Sequence, residues 1–292
     1  MPNPRFPVTS LLVAMWNMGG AHTSRCSARY YDMLDLGEAS GMMLACKKIW
    51  SHYGEVIRNR KHCVLDMAGR ILADHATTQV VILGGGVDAL PLEITSRFDG
   101  VTVYETDMAN MNLKRSLMER ACPESADRIK CITVDLAHAG ETVRAVSAAG
   151  WDRNRPSLLI LEGVSYYISS SHLWSLISAF GEGGNGVRNN IILEYMLPPE
   201  LIDPSRRDIA DRVFGIIAGS EDIEFTRHES DTIRARAGAA GGYVVERHTL
   251  HSMERDRTGR NTYFPTNESG WIEVCRIVQG KETRQTSGPA AE

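Results

Sequence analysis

The chain has no C-x-x-C pair. Its six cysteines (26, 46, 63, 122, 131 and 275) lie far apart, which excludes zinc-ribbon and dense disulfide scaffolds and reads as reduced thiols. There is no excess of positive charge either. Thirty-two Lys and Arg face 36 Asp and Glu, a net charge of −4 over 292 residues, so no general pull towards nucleic acid or anionic lipid is expected. No apolar run approaches the roughly 18 residues of a spanning helix; the longest, Ser10–Met18, is broken by Asn17. Repeats and low-complexity tracts are missing, apart from a polar tail after Gly280 that reads as frayed. Arg5 followed by Val8–Trp16 and Gly19-Gly20-Ala21 imitates a signal peptide only loosely, with three prolines in the first seven residues. The expected location is the cytoplasm, and neither nucleic acid nor membrane is an expected partner.

What is present suits a packed α/β protein: 43% apolar and 23% charged residues, enough to build and cover a core. From Ser27 to about Ala76 apolar residues recur at helical spacing, clearest through Gly41–Ile57 and Val64–Leu72. The texture then changes. Short β-branched runs appear at Val80–Leu83, Val101–Tyr104, Ile129–Val134, Ser157–Leu161 and Asn190–Leu193, with helix-compatible stretches such as Ala89–Phe98 and Met108–Arg120 between them. That alternation predicts βαβ units and a doubly wound, mostly parallel sheet covered on both faces. Gly242–Leu250 and Trp271–Val278 are read instead as an antiparallel pair at the sheet edge, joined by a turn-rich stretch with no helix, and Glu254–Arg260 as a solvated turn. Residues 1–76 are expected to form an N-terminal helical cap that shares the substrate pocket. Residues 77–292 form the catalytic domain, with 197–241 inserted as a lid.

In such sheets ligands bind beyond the carboxyl ends of the strands. Gly84-Gly85-Gly86, Glu105, Asp135 and Glu162 follow successive strands there. Glycine lets a backbone approach a ligand closely and accepts positive φ. Glu105, 21 residues beyond Gly84, can accept from both hydroxyls of a ribose, and Asp135 can take an exocyclic amino proton of adenine. The loop also satisfies the loose G-x-G-x-x-A dinucleotide fingerprint, which keeps an NAD(P)-dependent oxidoreductase as the alternative. Asp88, however, would repel a pyrophosphate. A positively charged sulfonium cofactor suits an acidic crevice better, so S-adenosylmethionine is expected over NAD. His248 and His251 form an H-x-x-H spacing, but on a strand residues three apart face opposite sides, so no metal is expected.

The segments VVILGGGVDALPLEI (80–94), VTVYETDM (101–108), ITVDLAH (132–138) and PSLLILEGVSYYIS (156–169) together resemble the leucine carboxyl methyltransferase family. So does Arg58-Asn59-Arg60 followed by Val64-Leu65-Asp66. The resemblance implies a seven-stranded sheet with its last strand antiparallel, S-adenosyl-L-methionine as cofactor, and methyl transfer to a small molecule, at a carboxylate or hydroxyl oxygen, with nitrogen or sulfur as the alternative acceptor. It implies that Arg58 faces a carboxylate of cofactor or substrate and acts in catalysis, with Arg60 as a second candidate. Gly84, Gly85, Gly86 and Asp88 would lie along the methionine portion. Glu105 and Thr106 would hold the ribose, Asp135 and Leu136 the adenine, and Glu162 and Gly163 the floor near the sulfonium. Tyr30, Tyr31, Tyr166 and Tyr195 are candidate substrate contacts, with Tyr167 as a second catalytic candidate. The segment after the glycine loop, Ala89-Leu90-Pro91, departs from the family pattern. A homodimer is left open.

Overall fold

The computed structural model of the protein describes residues 6–181, 187–219 and 224–280. Four helices come first: α1 (Val8–Asn17), α2 (Arg25–Tyr31), α3 (Ser40–Ile49) and α4 (Gly54–Leu72). The alternating part follows as β1 (Gln79–Leu83), α5 (Leu90–Arg97), β2 (Thr102–Asp107), α6 (Met111–Ala121), β3 (Ile129–Thr133), α7 (Ala139–Ala148), β4 (Ser157–Leu161), α8 (Ser170–Gly181) and β5 (Asn189–Met196). Then come α9 (Pro204–Ala218), α10 (Ser230–Ala239), β6 (Gly242–Thr249), α11 (Leu250–Thr258) and β7 (Ile272–Gln279).

The seven strands form one sheet in the order β3-β2-β1-β4-β5-β7-β6. β7 runs antiparallel to both its neighbours, and the remaining pairs are parallel. The predicted architecture is therefore the observed one, and the physical reason is visible in the central strands. Every residue of β1 and of β4 is buried, because helices cover both faces; such strands are written as unbroken apolar runs. Burying each Val, Leu or Ile contributes roughly 1.5–3 kcal/mol.

Three expectations need correcting. The β6–β7 connection does contain a helix, α11. Thr249 caps it, accepting from Ser252 N–H while Ser252 returns a bond to the Thr249 N–H, and Gly259 at φ +76° stops it. Glu254, within the stretch read as a solvated turn, is buried and accepts from the Tyr263 and Phe264 N–H groups. Finally, not all thiols are free. α2 packs on α6 and brings the Cα atoms of Cys26 and Cys122 within 5.2 Å, where the two form a disulfide; Cys46, Cys63, Cys131 and Cys275 are free. A partner 96 residues away leaves no trace in cysteine spacing. Of the 197–241 stretch the structure describes all but residues 220–223, and most of it is helical, in α9 and α10. The polar tail after Gly280 lies outside the described residues. No helix among the described residues is long and apolar enough to cross a membrane.

Candidate active site

The strand order reverses between β1 and β4, and a doubly wound sheet opens a crevice at that switch point. Here the crevice is lined by Gly84–Asp88 after β1 and by Glu162 and Gly163 after β4, with Arg60 and Lys61 from α4 and Ser10 and Val13 from α1. Its cavity volume is about 70 Å³, smaller than the roughly 300–1,000 Å³ of small-ligand sites.

The neighbouring strand holds the glycine turn. Gly84 and Gly85 N–H both donate to the Thr106 carbonyl, at 2.9 and 3.0 Å, and Gly86 N–H donates to Asp107 Oδ2 at 2.8 Å. Gly84 and Gly86 have φ of +75° and +51°, a region closed to most side chains. A Cβ at Gly85 would collide with the Glu105 carboxylate. Thr106 is thus a backbone support, its hydroxyl turned to the Ile82 carbonyl.

Below the turn lies a buried charge network. Lys61 Nζ is 2.5 Å from Asp88 Oδ2 and 2.9 Å from Glu162 Oε1. Arg60 reaches Glu162 at 3.2 Å, Glu194 at 3.0 Å and the Tyr166 hydroxyl at 3.3 Å. Three carboxylates therefore face two cations, an acidic balance. Burial would raise the Asp88 pKa, but Lys61 and then His22 hold it well below the usual carboxylate range. Burial raises that of Glu194 despite Arg60. Asp88 is also tied to the cap: His22 Nδ1 lies 3.3 Å from it and 3.0 Å from the Tyr31 hydroxyl, to which Asn17 donates at 3.1 Å.

The expected residues divide accordingly. Gly84, Gly85, Gly86, Asp88, Glu162, Gly163 and Arg60 meet at the crevice. Arg58 does not: it pairs with Glu55 on its own helix. Glu105 is wholly buried beneath Gly85, 2.7 Å from an equally buried Lys114. Burial pushes its pKa up to about 7, against the pull of Lys114. The residue that β2 delivers to the rim is Asp107, which the sequence reading passed over. Its Oδ1 accepts from Met108 N–H and its Oδ2 from Gly86 N–H, leaving a lone pair on each oxygen. Asp135 is half-exposed and turns its Oδ1 to Ala137 N–H, while Leu136 packs close to Gly84. Tyr30 is fully buried. Tyr195 gives its hydroxyl to Glu273 rather than to the charge network. Tyr166 touches Arg60, and Tyr167 lies at the surface, 42% exposed. Lys61, Lys114, His22, Ser10 and Val13 were also missed. Lys61 had a signal: Ile57, Lys61 and Val64 share one helix face at the i, i+4, i+7 spacing.

The model of the leucine carboxyl methyltransferase family matches residues 33–181, half of the chain. The chain belongs to this family. Proteins of Mycolicibacterium paratuberculosis and Mycobacterium avium, both named as S-adenosyl-L-methionine-dependent methyltransferases, are 26% identical over 158 residues, 53% of this chain and 49% of each relative. The matching segment thus spans about half the length of these relatives. A crystal structure named as a methyltransferase from Thermobifida fusca superposes with a TM-score of 0.65 at 14% identity, covering 96% of this chain and 97% of the other. A DUF574-family protein from Streptomyces avermitilis also gives 0.65, at 12% identity, covering 90% and 99%. Magnesium protoporphyrin IX methyltransferase from Synechocystis, solved with bound SAH, gives 0.51 at 13% identity, covering 82% and 95%. These likenesses establish the class I methyltransferase fold. The leucine carboxyl methyltransferase match ends at Gly181, so α9, α10 and the two closing strands lie beyond the part that carries the family pattern.

Proposed function

We propose that this chain is an S-adenosyl-L-methionine-dependent methyltransferase acting on an oxygen of a small-molecule acceptor. The observation that carries the reading is the charged crevice at the β1–β4 switch point, floored by a backbone turn that excludes side chains. Its donor set fits the cofactor. Two oxygens of Asp107, each with a lone pair to spare, match the two hydroxyls of a ribose. The lining sets Asp88 and Glu162 against Arg60 and Lys61, and Asp88 at the end of the glycine turn disfavours a pyrophosphate. In this reading Gly84–Gly86 lie along the methionine portion, Leu136 and the Asp135 turn flank the adenine, and Arg60 and Lys61 replace Arg58 as the cations near the cofactor carboxylate.

When bound, the cofactor supplies an electrophilic methyl on a sulfonium. What remains for the protein is alignment and desolvation. α1 contributes to both: Ser10 and Val13 close one side of the crevice. The Asn17–His22–Tyr31 bonds tie that cap to Asp88 and so to the end of the glycine turn. An oxygen acceptor is supported by the family's name, and the helices inserted after β5 serve here as the lid. Incubation with methyl-labelled cofactor and a panel of carboxylates, phenols, amines and thiols tests it. Label on an oxygen is the expected outcome; label only on nitrogen or sulfur overturns the acceptor assignment.

A further inference from the structure

Where the end of α1 meets the start of α4, two arginines converge on one carboxylate. Arg58 on α4 and Arg257 at the end of α11 both pair with Glu55, and neither has another carboxylate partner among the described residues. Arg257 Nε also donates to Asn59 Oδ1 at 2.7 Å, which sets its guanidinium against α4. Burial would raise the Glu55 pKa, but the two arginines hold it below its ordinary value. Glu55 is therefore ionised, and the notch keeps one positive charge in excess. Gly54 makes room for it. A Cβ there would come within 3.2 Å of Trp16 Cδ1 and 3.3 Å of both terminal nitrogens of Arg58, so indole edge and guanidinium share the space over the glycine. Two donors on residues bordering the notch, Trp16 Nε1 and Asn59 Nδ2, have no acceptor among the described residues, although Trp16 is 5% and Asn59 0% exposed. Buried donors ordinarily find an acceptor. A surplus guanidinium beside orphaned N–H groups suits an anion, and the notch is open to one: the Arg58 side chain is 35% exposed and that of Arg257 22%.

The notch continues the crevice. α1 packs along α4, and Val13 and Lys61 line the crevice between them. Trp16 stands three residues past Val13, and Arg58 three residues before Lys61, each about 5 Å further along its helix. An anionic group held by the two arginines lies outside the crevice and so is not the oxygen that receives the methyl. We infer that the methyl acceptor is a dicarboxylate, one end entering the crevice and the other anchored by Arg58 and Arg257. This rests on the methyltransferase reading above and goes beyond it, since Trp16 and Arg257 lie outside the segment 33–181 that carries the family pattern.

The test uses the full chain saturated with S-adenosylhomocysteine, whose own binding is measured first by calorimetry. Ligand-observed NMR titrations then compare adipate, with a carboxylate at each end, with hexanoate, which has one. Saturable adipate binding, about tenfold tighter than that of hexanoate and weakened about tenfold in Arg257→Gln and in Arg58→Gln, with S-adenosylhomocysteine affinity unchanged, supports the inference. Arg58→Gln, at a partly exposed position, keeps the test decisive should Arg257→Gln fold poorly. Hexanoate binding as tightly as adipate, no saturable adipate binding, or adipate affinity unmoved by Arg58→Gln overturns it. So does an equal weakening by Arg255→Gln, which removes a charge from the same helix outside the notch. Absence of S-adenosylhomocysteine binding to the wild type is a separate result and overturns the cofactor reading instead.

Discussion

Two acidic residues two positions apart on one strand have opposite fates. Glu105 and Asp107 both lie on β2, yet Glu105 is sealed under Gly85 with Lys114 while Asp107 reaches the rim. Asp107→Ala is therefore expected to weaken S-adenosylhomocysteine binding by about ten- to a hundredfold, the loss of one or two charge-assisted hydrogen bonds, with some loss of stability as well, because the Gly86 and Met108 N–H groups lose their acceptor. Glu105→Gln should leave S-adenosylhomocysteine binding unchanged and, because burial already favours the neutral carboxyl, alter stability little at pH 5; denaturant titration of this variant and of Glu105→Gln with Lys114→Met decides. The same pair sets a pH dependence. With its folded pKa pushed up to about 7 from an ordinary 4.5, Glu105 binds more proton in the folded state throughout that window. Its contribution to stability falls as pH rises from about 4.5 to about 7, by about 3 kcal/mol in all. The wild-type minus double-variant stability difference, followed across that range, should show this slope. The E-x-D spelling was legible in the sequence. Which of the two acids reaches the ligand was not, because it depends on where β2 ends, and the strand runs two residues past Glu105.

Elements whose pattern is local were read correctly. The central strands announce themselves because burial on both faces leaves only apolar residues, and their order along the chain implied the parallel sheet. α11 was missed although Thr249 and Gly259 supplied a start and a stop, since nine residues with mean polarity this high do not show a clear apolar stripe. The face of α4 was misjudged in the same way. Arg58 and Arg60 are two residues apart on a helix and so point to different sides, and only the phase set by Ile57, Val64 and Ile71 tells which side is buried. The α2–α6 disulfide was beyond reach for another reason: it joins residues 96 apart through packing alone. It closes a long loop and cross-links the cap to the sheet domain. Cys122→Ser, or addition of reductant to the wild type, is expected to lower unfolding free energy by about 2–4 kcal/mol, read from urea titrations with and without dithiothreitol. Equal stability under both conditions would mean that the two thiols are unpaired.

At the scale of the whole molecule, one sheet gathers residues from distant parts of the chain into one crevice: Ser10, Arg60, Lys61, the glycine turn and Glu162. The crevice sets Asp88 and Glu162 against Arg60 and Lys61, with the Asp107 carboxylate on the glycine turn beside them, a setting that suits a sulfonium cofactor better than a pyrophosphate. A parallel calorimetric titration of the protein with S-adenosylhomocysteine and with NADH separates the two cofactor classes. Micromolar, one-to-one binding of S-adenosylhomocysteine with no heat from NADH is the predicted result. Binding of NADH, or of neither compound, would contradict it and leave the glycine turn a purely structural strand-to-helix connection.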